Sequence, residues 1–295
     1  MNQLTRGERA FQIFTAVLIL LMCVTMIYPF IHMISISLST PAEAMRSGIH
    51  LYPKELSFEA YKVALNSDGI WVGFSNTIFR TVVGTLLSLV LMALTAYPLA
   101  KKHLPHRTFF TMVILFTMFF QGGLIPTYLL IQNLGLVDSR WVYILAPPFL
   151  INTFSMLIMR NFFMSIPAEL EDSAKIDGAN DIRILSSIVI PLSKPILATV
   201  ALWAAVFHWN SWFDGLIYIQ DQTKIVLQIF LRRLVVENQN QELAMLMDMA
   251  TGPQLVTPET VKAAVLMVTV LPILLVYPFL QKYFVRGIMI GSLKG

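Results

Sequence analysis

Between residues 203 and 214 the chain concentrates side chains that suit the binding of a ligand rich in hydroxyl groups. The segment WAAVFHWNSWFD contributes Trp203, His208, Trp209, Asn210, Trp212 and Asp214. Aromatic faces stack on the apolar side of a sugar ring, and amide or carboxylate groups bind its hydroxyls. The pattern is therefore typical of a saccharide path, although the same tryptophans also fit an aromatic belt at a membrane surface.

Other polar side chains interrupt apolar stretches elsewhere in the chain. Gln121, Asn152 and Arg160 are costly to place in lipid, so we expect them to face the interior of a helix bundle. Most ionisable residues fall near the ends of apolar stretches, with Arg80 as the main exception. His208 fits a packed or capped side chain better than a proton relay. The residues predicted to line the path are Gln121, Asn152, His208, Trp209, Asn210 and Trp212.

Motifs for covalent, phosphate or metal chemistry are absent from the sequence. It contains no GxxxxGK[ST] phosphate loop, no HExxH and no Gly-x-Ser-x-Gly elbow. Cys23 is the single cysteine and lies in an apolar run, which excludes a disulfide framework and a cysteine metal site. We therefore expect neither an enzyme nor a cofactor or metal bound by this chain.

The composition places these residues in a membrane protein. The chain is 56% hydrophobic and 13% charged, with a mean hydropathy of +0.69, whereas soluble domains are about 25% charged. We predict an all-α, polytopic fold with six transmembrane helices, treated as a single transmembrane domain over residues 1–295. The predicted spans cover about residues 10–34, 74–99, 108–131, 141–164, 195–219 and 261–284, with a core bundle over 70–284.

The distribution of charge predicts the orientation of these spans. Twelve Lys and Arg residues fall on the side that holds both chain ends and eight fall on the other, in longer loops. The positive-inside rule then places both termini in the cytoplasm. The net charge of +4 comes from dispersed residues, so it indicates topology and not nucleic-acid binding. The apolar stretch of the first span is too long for a signal peptide, and we expect it to be retained.

The longest polar interval on the cytoplasmic side covers residues 165–195. Ser165 is a candidate cap for a first helix, Pro167 fits its first turn, and Gly178 supplies a left-handed stop. Asp181 is a candidate cap for a second helix that Pro191 ends. Apolar residues recur in this second helix at helical spacing, at Ile182, Leu185, Ile188 and Val189. The stripe needs a cover, which is either a partner or the lipid interface and the chain's own spans.

The same interval resembles the EAA loop of ABC importer permeases. That pattern is Glu-Ala-Ala, three residues, Gly, nine residues and Ile-x-Leu-Pro, and the matching positions are Asp172, Ser173, Ala174, Gly178, Ile188, Ile190 and Pro191. Asp172, Ser173 and Ile190 depart from it but keep the charge, small size or apolarity of the family residue. The flanking IPAELEDSAKIDGA, VIPLSKPIL and YFVRGIMIGSLKG resemble the carbohydrate-uptake branch, and the likeness covers roughly residues 70–295.

The resemblance implies a type I importer permease fold and a set of partners. These would be a second homologous permease in a heterodimer, two cytoplasmic ABC ATPases that carry ATP and magnesium, an extracytoplasmic solute-binding protein and a saccharide, in a bacterial plasma membrane. The cytoplasmic coupling loop would cover residues 165–193. Its coupling residues would be Glu171, Asp172, Ser173, Ala174, Asp177, Gly178, Ile188 and Pro191.

Two questions stay open from the sequence alone. An ion- or proton-coupled carrier is the alternative function, but it should show inverted repeats and ionisable residues at mid-membrane. The outer segment 219–259 suits either the docking of a binding protein or a lid over the bundle.

Overall fold

The computed structural model of the chain describes residues 5–146, 149–235, 244, 246–248 and 255–292. Within these ranges the protein is built from α-helices with one π-helical and one 3-10 turn, and an isolated bridge joins Ser39 to Leu56. The chain divides into two compact units. The first unit takes the chain up to Ile70 and from Leu231 to Leu271, and the second takes Trp71 to Phe230 and the chain from Pro272 onward.

The helices in chain order are α1 (Arg6–Ser37), α2 (Pro41–Ala44), α3 (Glu59–Leu65), α4 (Asp68–Ala100), α5 (Arg107–Phe119), α6 (Leu124–Asn133), α7 (Val142–Leu145), α8 (Thr153–Phe163), α9 (Ala168–Ile176), α10 (Asp181–Ile184), α11 (Ile190–Leu192), α12 (Lys194–Asn210), α13 (Phe213–Tyr218), α14 (Leu227–Val235) and α15 (Pro258–Ser292). A π-helical turn, Leu185–Val189, joins α10 to α11, and a 3-10 turn, Gln222–Lys224, lies between α13 and α14.

Three of the described helices are long and apolar enough to cross a membrane: Arg6–Ser37, Asp68–Ala100 and Pro258–Val276 of α15. Two bent pairs raise this number to five if each counts as one span. The α5–α6 pair bends by 110° where residues 120–123 break the helix, as the Gly and Pro residues of the third predicted span indicated. The pair formed by Asp181–Leu192 and α12 bends by 84°. The fourth predicted span crosses residues 147 and 148, outside the described residues, so the count of six stays a prediction.

In the first unit, the apolar helix α1 is followed by a loop that contains α2 and leads to α3. A capping box starts α1, because Thr5 accepts from the Glu8 N–H and the Glu8 carboxylate accepts from the Thr5 N–H. Helix α3 is held to the end of α1 by a hydrogen bond of 2.8 Å between the Ser37 and Tyr61 hydroxyls. The short surface helix expected in SFEAYKVAL is present as α3. The central apolar window of α1 has no buried residues, so this helix is suited to contact lipid or another chain.

In the second unit, a hydrophobic core joins α4, α8, α12 and the helices after Gly178. Its buried members are Met92, Ala93, Ala96, Tyr97, Leu99, Met156, Met159, Phe163, Ile184, Leu185, Val189, Ile196 and Val200. The apolar stripe predicted for the second hairpin helix is therefore covered largely by the chain's own spans. Ile182 is the exception, because 75% of its surface is exposed.

Candidate functional site

An open cavity of 770 Å³ lies at the C-terminal end of α12 in the second unit. The break between α5 and α6 forms one wall, and the turn from α12 into α13 forms another. Polar side chains on these walls are Gln121, Thr127, Asn210, Ser211 and Asp214, and aromatic side chains are Phe149, Phe207, Trp212, Phe213 and Tyr218. A cavity of this size with aromatic faces and a few polar groups suits a small polyhydroxylated ligand.

A buried ion pair lies beside this cavity and joins Arg80 of α4 to Asp214 of α13. Arg80 is 0% exposed and Asp214 is 4% exposed. The guanidinium reaches the carboxylate through two contacts, Nη2 to Oδ2 at 2.7 Å and Nη1 to Oδ1 at 3.0 Å. Nη1 also donates to the Ser211 carbonyl at 3.1 Å. Because each charge would be unstable alone in an apolar interior, the pair fixes the turn before α13 against α4.

Aromatic rings surround the Arg80 guanidinium. The rings of Tyr143 and Phe149 have centroids 5.0 Å from its central carbon, a distance at which a cation is attracted to an aromatic face. Tyr143 also donates through its hydroxyl to the Lys224 carbonyl at 2.9 Å. The ion pair therefore connects α4, α7, α13 and the 3-10 turn in one network.

The segment around the 3-10 turn is held in place by hydrogen bonds between side chains of α4 and its backbone. The Asn76 amide donates to the Thr223 and Ile225 carbonyls at 3.0 and 2.9 Å, and the Thr77 hydroxyl accepts from the Leu227 N–H. Hydrogen bonds from the Thr223 N–H and hydroxyl, together with Lys224, lower the pKa of Asp221 to about 2. This carboxylate therefore stays charged at any pH near neutrality.

A smaller cavity of 360 Å³ lies further along α12, toward the hairpin. It is lined by Ser88, Met92, Phe149, Asn152, Phe154, Ser155, Trp203, Ala204, Phe207 and His208. Phe149 and Phe207 also line the larger cavity, and their ring centroids are 5.6 Å apart. The two cavities therefore share an aromatic pair.

The predicted path residues lie on three different cavities in the structure. Gln121, Asn210 and Trp212 lie on the larger cavity, and Asn152 and His208 lie on the smaller one. Trp209 lies on neither of them. It is 8% exposed, packs edge-on against Phe74 at 6.3 Å and borders a separate apolar pocket of 160 Å³.

Two polar residues expected to face the bundle interior form hydrogen bonds to the backbone of this chain. Asn152 caps α8, because its Oδ1 accepts from the Ser155 N–H at 2.9 Å. Arg160 donates from Nε to the Leu99 carbonyl at 3.1 Å and so joins α8 to the end of α4.

The sequence did not identify Asp214 as the partner of Arg80, and it did not identify Phe149 as a residue that lines both cavities. The signal for the first was available, because a charge far from the end of an apolar span needs an opposite charge. Asp214 was also already part of the cluster at residues 203–214. Nothing in the sequence distinguishes Phe149 from the other phenylalanines.

The predicted helical hairpin is present, with different capping residues. The α9 helix ends before Gly178, whose φ of +79° is the left-handed conformation predicted for it. Ser165 does not cap α9, because its hydroxyl donates to the Phe162 carbonyl and Pro167 occupies the cap position without a side-chain bond. Asn180, and not Asp181, caps α10 through a bond of 2.9 Å from the Arg183 N–H.

The second hairpin helix also ends later than predicted. It continues past Pro191 to Leu192, and the chain bends at Ser193. The preceding π-helical turn shifts the hydrogen bonding, since the Ile190 N–H donates to the Leu185 carbonyl five residues back. This shift helps the helix to accommodate a proline that has no N–H of its own.

The predicted coupling residues differ in exposure. Asp172, Ser173, Asp177, Gly178 and Pro191 are exposed, whereas Glu171, Ala174 and Ile188 are half-buried. The Glu171 carboxylate forms an ion pair with Lys101, at the end of α4. Two large apolar side chains remain at the hairpin tip, since Ile176 is 88% exposed and Ile182 is 75% exposed. An exposed apolar pair beside acidic residues is typical of a docking surface.

Comparisons with known proteins agree with this arrangement. Residues 66–290 match the family described as binding-protein-dependent transport system inner membrane component. The chain is 40% identical over 289 residues to the polygalacturonan/rhamnogalacturonan transport system permease protein YtcP of Bacillus subtilis (strain 168), covering 98% of this chain and 99% of that protein.

Two solved structures share the fold. One is a chain from the crystal structure of a bacterial ABC transporter involved in the import of the acidic polysaccharide alginate, with a TM-score of 0.90 and 36% identity over 96% of this chain and 100% of that chain. The other is from a bacterial alginate ABC transporter in complex with an alginate pentasaccharide-bound periplasmic protein. Its TM-score is 0.58 at 15% identity over 92% of this chain and 93% of that chain, so it shows the fold alone.

Proposed function

Because the chain belongs to the family of binding-protein-dependent transport system inner membrane components, we propose that it is a permease subunit of an ATP-driven importer of oligosaccharides. The match over residues 66–290 carries this proposal, since it includes both cavities and the hairpin. The chain would form half of the translocation path and would couple that path to separate ATPases. The relatives favour this function over an ion-coupled carrier.

A saccharide substrate is supported by two independent observations. The similar permease from Bacillus subtilis is described as a transporter of polygalacturonan and rhamnogalacturonan, and the similar solved structure comes from an alginate importer. The larger cavity of this chain independently combines aromatic faces with amide, hydroxyl and carboxylate groups. The single carboxylate on its wall, Asp214, is neutralised by Arg80, so the cavity does not concentrate one sign of charge.

The partners follow from the same proposal. ATP and magnesium would be bound by two cytoplasmic ATPase subunits, which would contact the hairpin at Ile176 and Ile182 and the acidic residues nearby. A second homologous permease would complete the path as a heterodimer, and an extracytoplasmic binding protein would deliver the saccharide. Support for the binding protein comes from the family itself, whose transport systems are described as binding-protein-dependent. Both termini would lie in the cytoplasm of a bacterium.

Reconstitution by subunit omission tests this function. The chain is placed in liposomes alone, or with a second permease, two ATPase copies and a binding protein from its own gene neighbourhood. Uptake of radiolabelled oligogalacturonides, alginate oligosaccharides and raffinose is measured with and without ATP. We expect ATP-dependent uptake of at least one of them by the full assembly only. Uptake by the chain alone, or driven by an ion gradient without ATP, contradicts the proposal.

A further inference from the structure

The smaller cavity combines the two features that recognise a sugar ring. Phe154 and Trp203 stack on each other with ring centroids 6.4 Å apart and planes 28° apart, which makes an aromatic platform. Ser88, Asn152, Ser155 and His208 bring polar groups to the same cavity. Its volume of 360 Å³ lies near the lower end of the ~300–1,000 Å³ range of ligand pockets, which suits one ring and not a long chain.

His208 lines one side of this cavity, and its imidazole packs closely against Gly84 of α4. Only 1% of its surface is exposed, and its Nδ1 atom has no hydrogen-bond partner among the described residues. Its ring contacts Phe149 and Phe207 at centroid distances of 6.0 and 5.9 Å, so the surroundings are largely aromatic. With so little accessible surface, the imidazole forms a wall of the cavity, and the binding of a sugar hydroxyl there is left to Asn152.

The smaller cavity lies in line with the larger one. Asn210 lines the larger cavity and Trp203 lines the smaller cavity, seven residues earlier on α12. At a rise of 1.5 Å per residue the two positions are about 10 Å apart along the helix. The Phe149–Phe207 pair lies on the walls of both cavities. A ligand that leaves the larger cavity past this pair therefore reaches Trp203.

We propose that the smaller cavity is a second sugar subsite, in which one ring lies against Trp203 and Phe154 while Asn152 binds one of its hydroxyls. The next ring of the same saccharide occupies the larger cavity. This inference rests on the proposed transport of saccharides and adds a statement about length: this half of the path holds at least two successive rings. A saccharide with several rings therefore occupies both cavities at once.

Cysteine protection tests the subsite in the assembled importer. Cys23 is the single cysteine of this chain, so Cys23→Ala removes cysteine from it, and modification is then measured on this chain after it is separated from its partners. Ala204→Cys then reports on the smaller cavity, Asn210→Cys on the larger cavity, and Ala205→Cys on the apolar pocket beside Trp209. Each variant is assayed for saccharide uptake and for the rate of modification by N-ethylmaleimide, with and without the transported oligosaccharide.

The expected result is at least fivefold protection of both Ala204→Cys and Asn210→Cys, with less than twofold change at Ala205→Cys. Protection of Asn210→Cys alone overturns the proposal, because the sugar then stays in the larger cavity. Equal protection at all three positions also overturns it, since that pattern reports a global change and not occupancy. If no saccharide is taken up by the unmodified assembly, the proposed function fails and the subsite fails with it.

A pair of leucine substitutions gives a second readout. Ala204→Leu narrows the smaller cavity, and Ala205→Leu makes the same change on the neighbouring residue that faces the other pocket. We expect Ala204→Leu to lower uptake of the transported oligosaccharide about tenfold and Ala205→Leu to change it less than twofold. Equal uptake by the two variants, at equal amounts of assembled complex, contradicts a subsite at Trp203.

Discussion

The Lys101 ammonium pairs with the Glu171 carboxylate and so joins the end of α4 to the first hairpin helix. Lys101 also lies 4.0 Å from the centroid of the Tyr97 ring, and both charged side chains are about 15% exposed. Glu171 therefore bonds within the chain, although the sequence placed it among the residues that contact an ATPase. Since α4 also carries Arg80, this pair links the hairpin to the helix that pairs with Asp214 on the wall of the larger cavity.

Reversal of the Lys101–Glu171 pair should uncouple ATP hydrolysis from transport. We expect Lys101→Glu and Glu171→Lys each to lower saccharide-stimulated ATPase activity, and the double variant to recover most of it because opposite charges face each other again. A double-mutant cycle on thermal unfolding should give a coupling energy of about 1 kcal/mol. Lys102→Glu is the matched control, since Lys102 is exposed on the same loop. Additive losses in the double variant would show that the pair does not act as a link.

Removal of one partner of the Arg80–Asp214 pair should destabilise the chain strongly. Arg80→Met leaves a buried carboxylate alone, and Asp214→Leu leaves a buried guanidinium alone, each at about 3–5 kcal/mol. The double variant removes both charges and should recover most of the melting temperature measured in detergent. Lys62→Met removes an ion pair of which the lysine side chain is 66% exposed, and should change stability by less than about 1 kcal/mol. If Arg80→Met melts like the unmodified chain, the pair has no structural role.

A side chain at position 84 should collide with His208. A Cβ built on Gly84 lies 2.6 Å from two atoms of the imidazole, closer than side chains pack. Gly84→Ala should therefore cost about 1–3 kcal/mol, and adding His208→Ala should relieve much of that loss. Gly7→Ala is the control in another helix, because a Cβ there meets nothing within 4 Å. Thermal unfolding of Gly84→Ala, His208→Ala, the double variant and Gly7→Ala measures both effects, and a neutral Gly84→Ala would mean that α4 and α12 are not in close contact here.

The sequence predicted most of the hairpin, because its signals are local. Gly178 follows a helical pattern and adopts the expected positive φ. The cap was assigned one residue late, since Asn180 and Asp181 are both good capping residues and only the geometry decides between them. The Arg80–Asp214 pair spans 134 residues, and no local pattern encodes such a distance.

The three tryptophans at positions 203, 209 and 212 show a second limit of prediction from the sequence. Adjacent positions on a helix point about 100° apart, so a run of aromatic residues cannot all face one cavity. Trp203 and Trp212 lie on the two cavities, whereas Trp209 lies on the separate apolar pocket. Trp203 and Trp209 are six residues apart, so the helical period predicts that they point in different directions. It does not predict which of them faces the path.

Substitutions at Gly178 and Asp172 test the hairpin as the coupling element. Gly178 has a φ of +79°, and a Cβ there meets nothing within 4 Å. A side chain at position 178 is therefore disfavoured by the backbone conformation and not by a collision with other atoms. Asn and Asp enter the left-handed region more readily than other residues with a side chain, and Asp differs from Asn mainly by its negative charge. Gly178→Asn should therefore keep ATPase coupling, whereas Gly178→Asp should weaken the co-purification of the ATPase and its stimulation by saccharide.

The exposed Asp172 gives an independent comparison at the start of the same surface. Asp172→Lys reverses the charge of an exposed residue in the middle of α9, on the surface proposed to meet the ATPase, and should lower both readouts. Asp172→Glu keeps the charge and should be nearly silent. None of these changes alters an apolar span, so insertion into the membrane should be unchanged in all four variants. Full stimulation in both Gly178→Asp and Asp172→Lys would mean that the ATPase grips the chain elsewhere, because the charge of the hairpin surface would then have no influence on coupling.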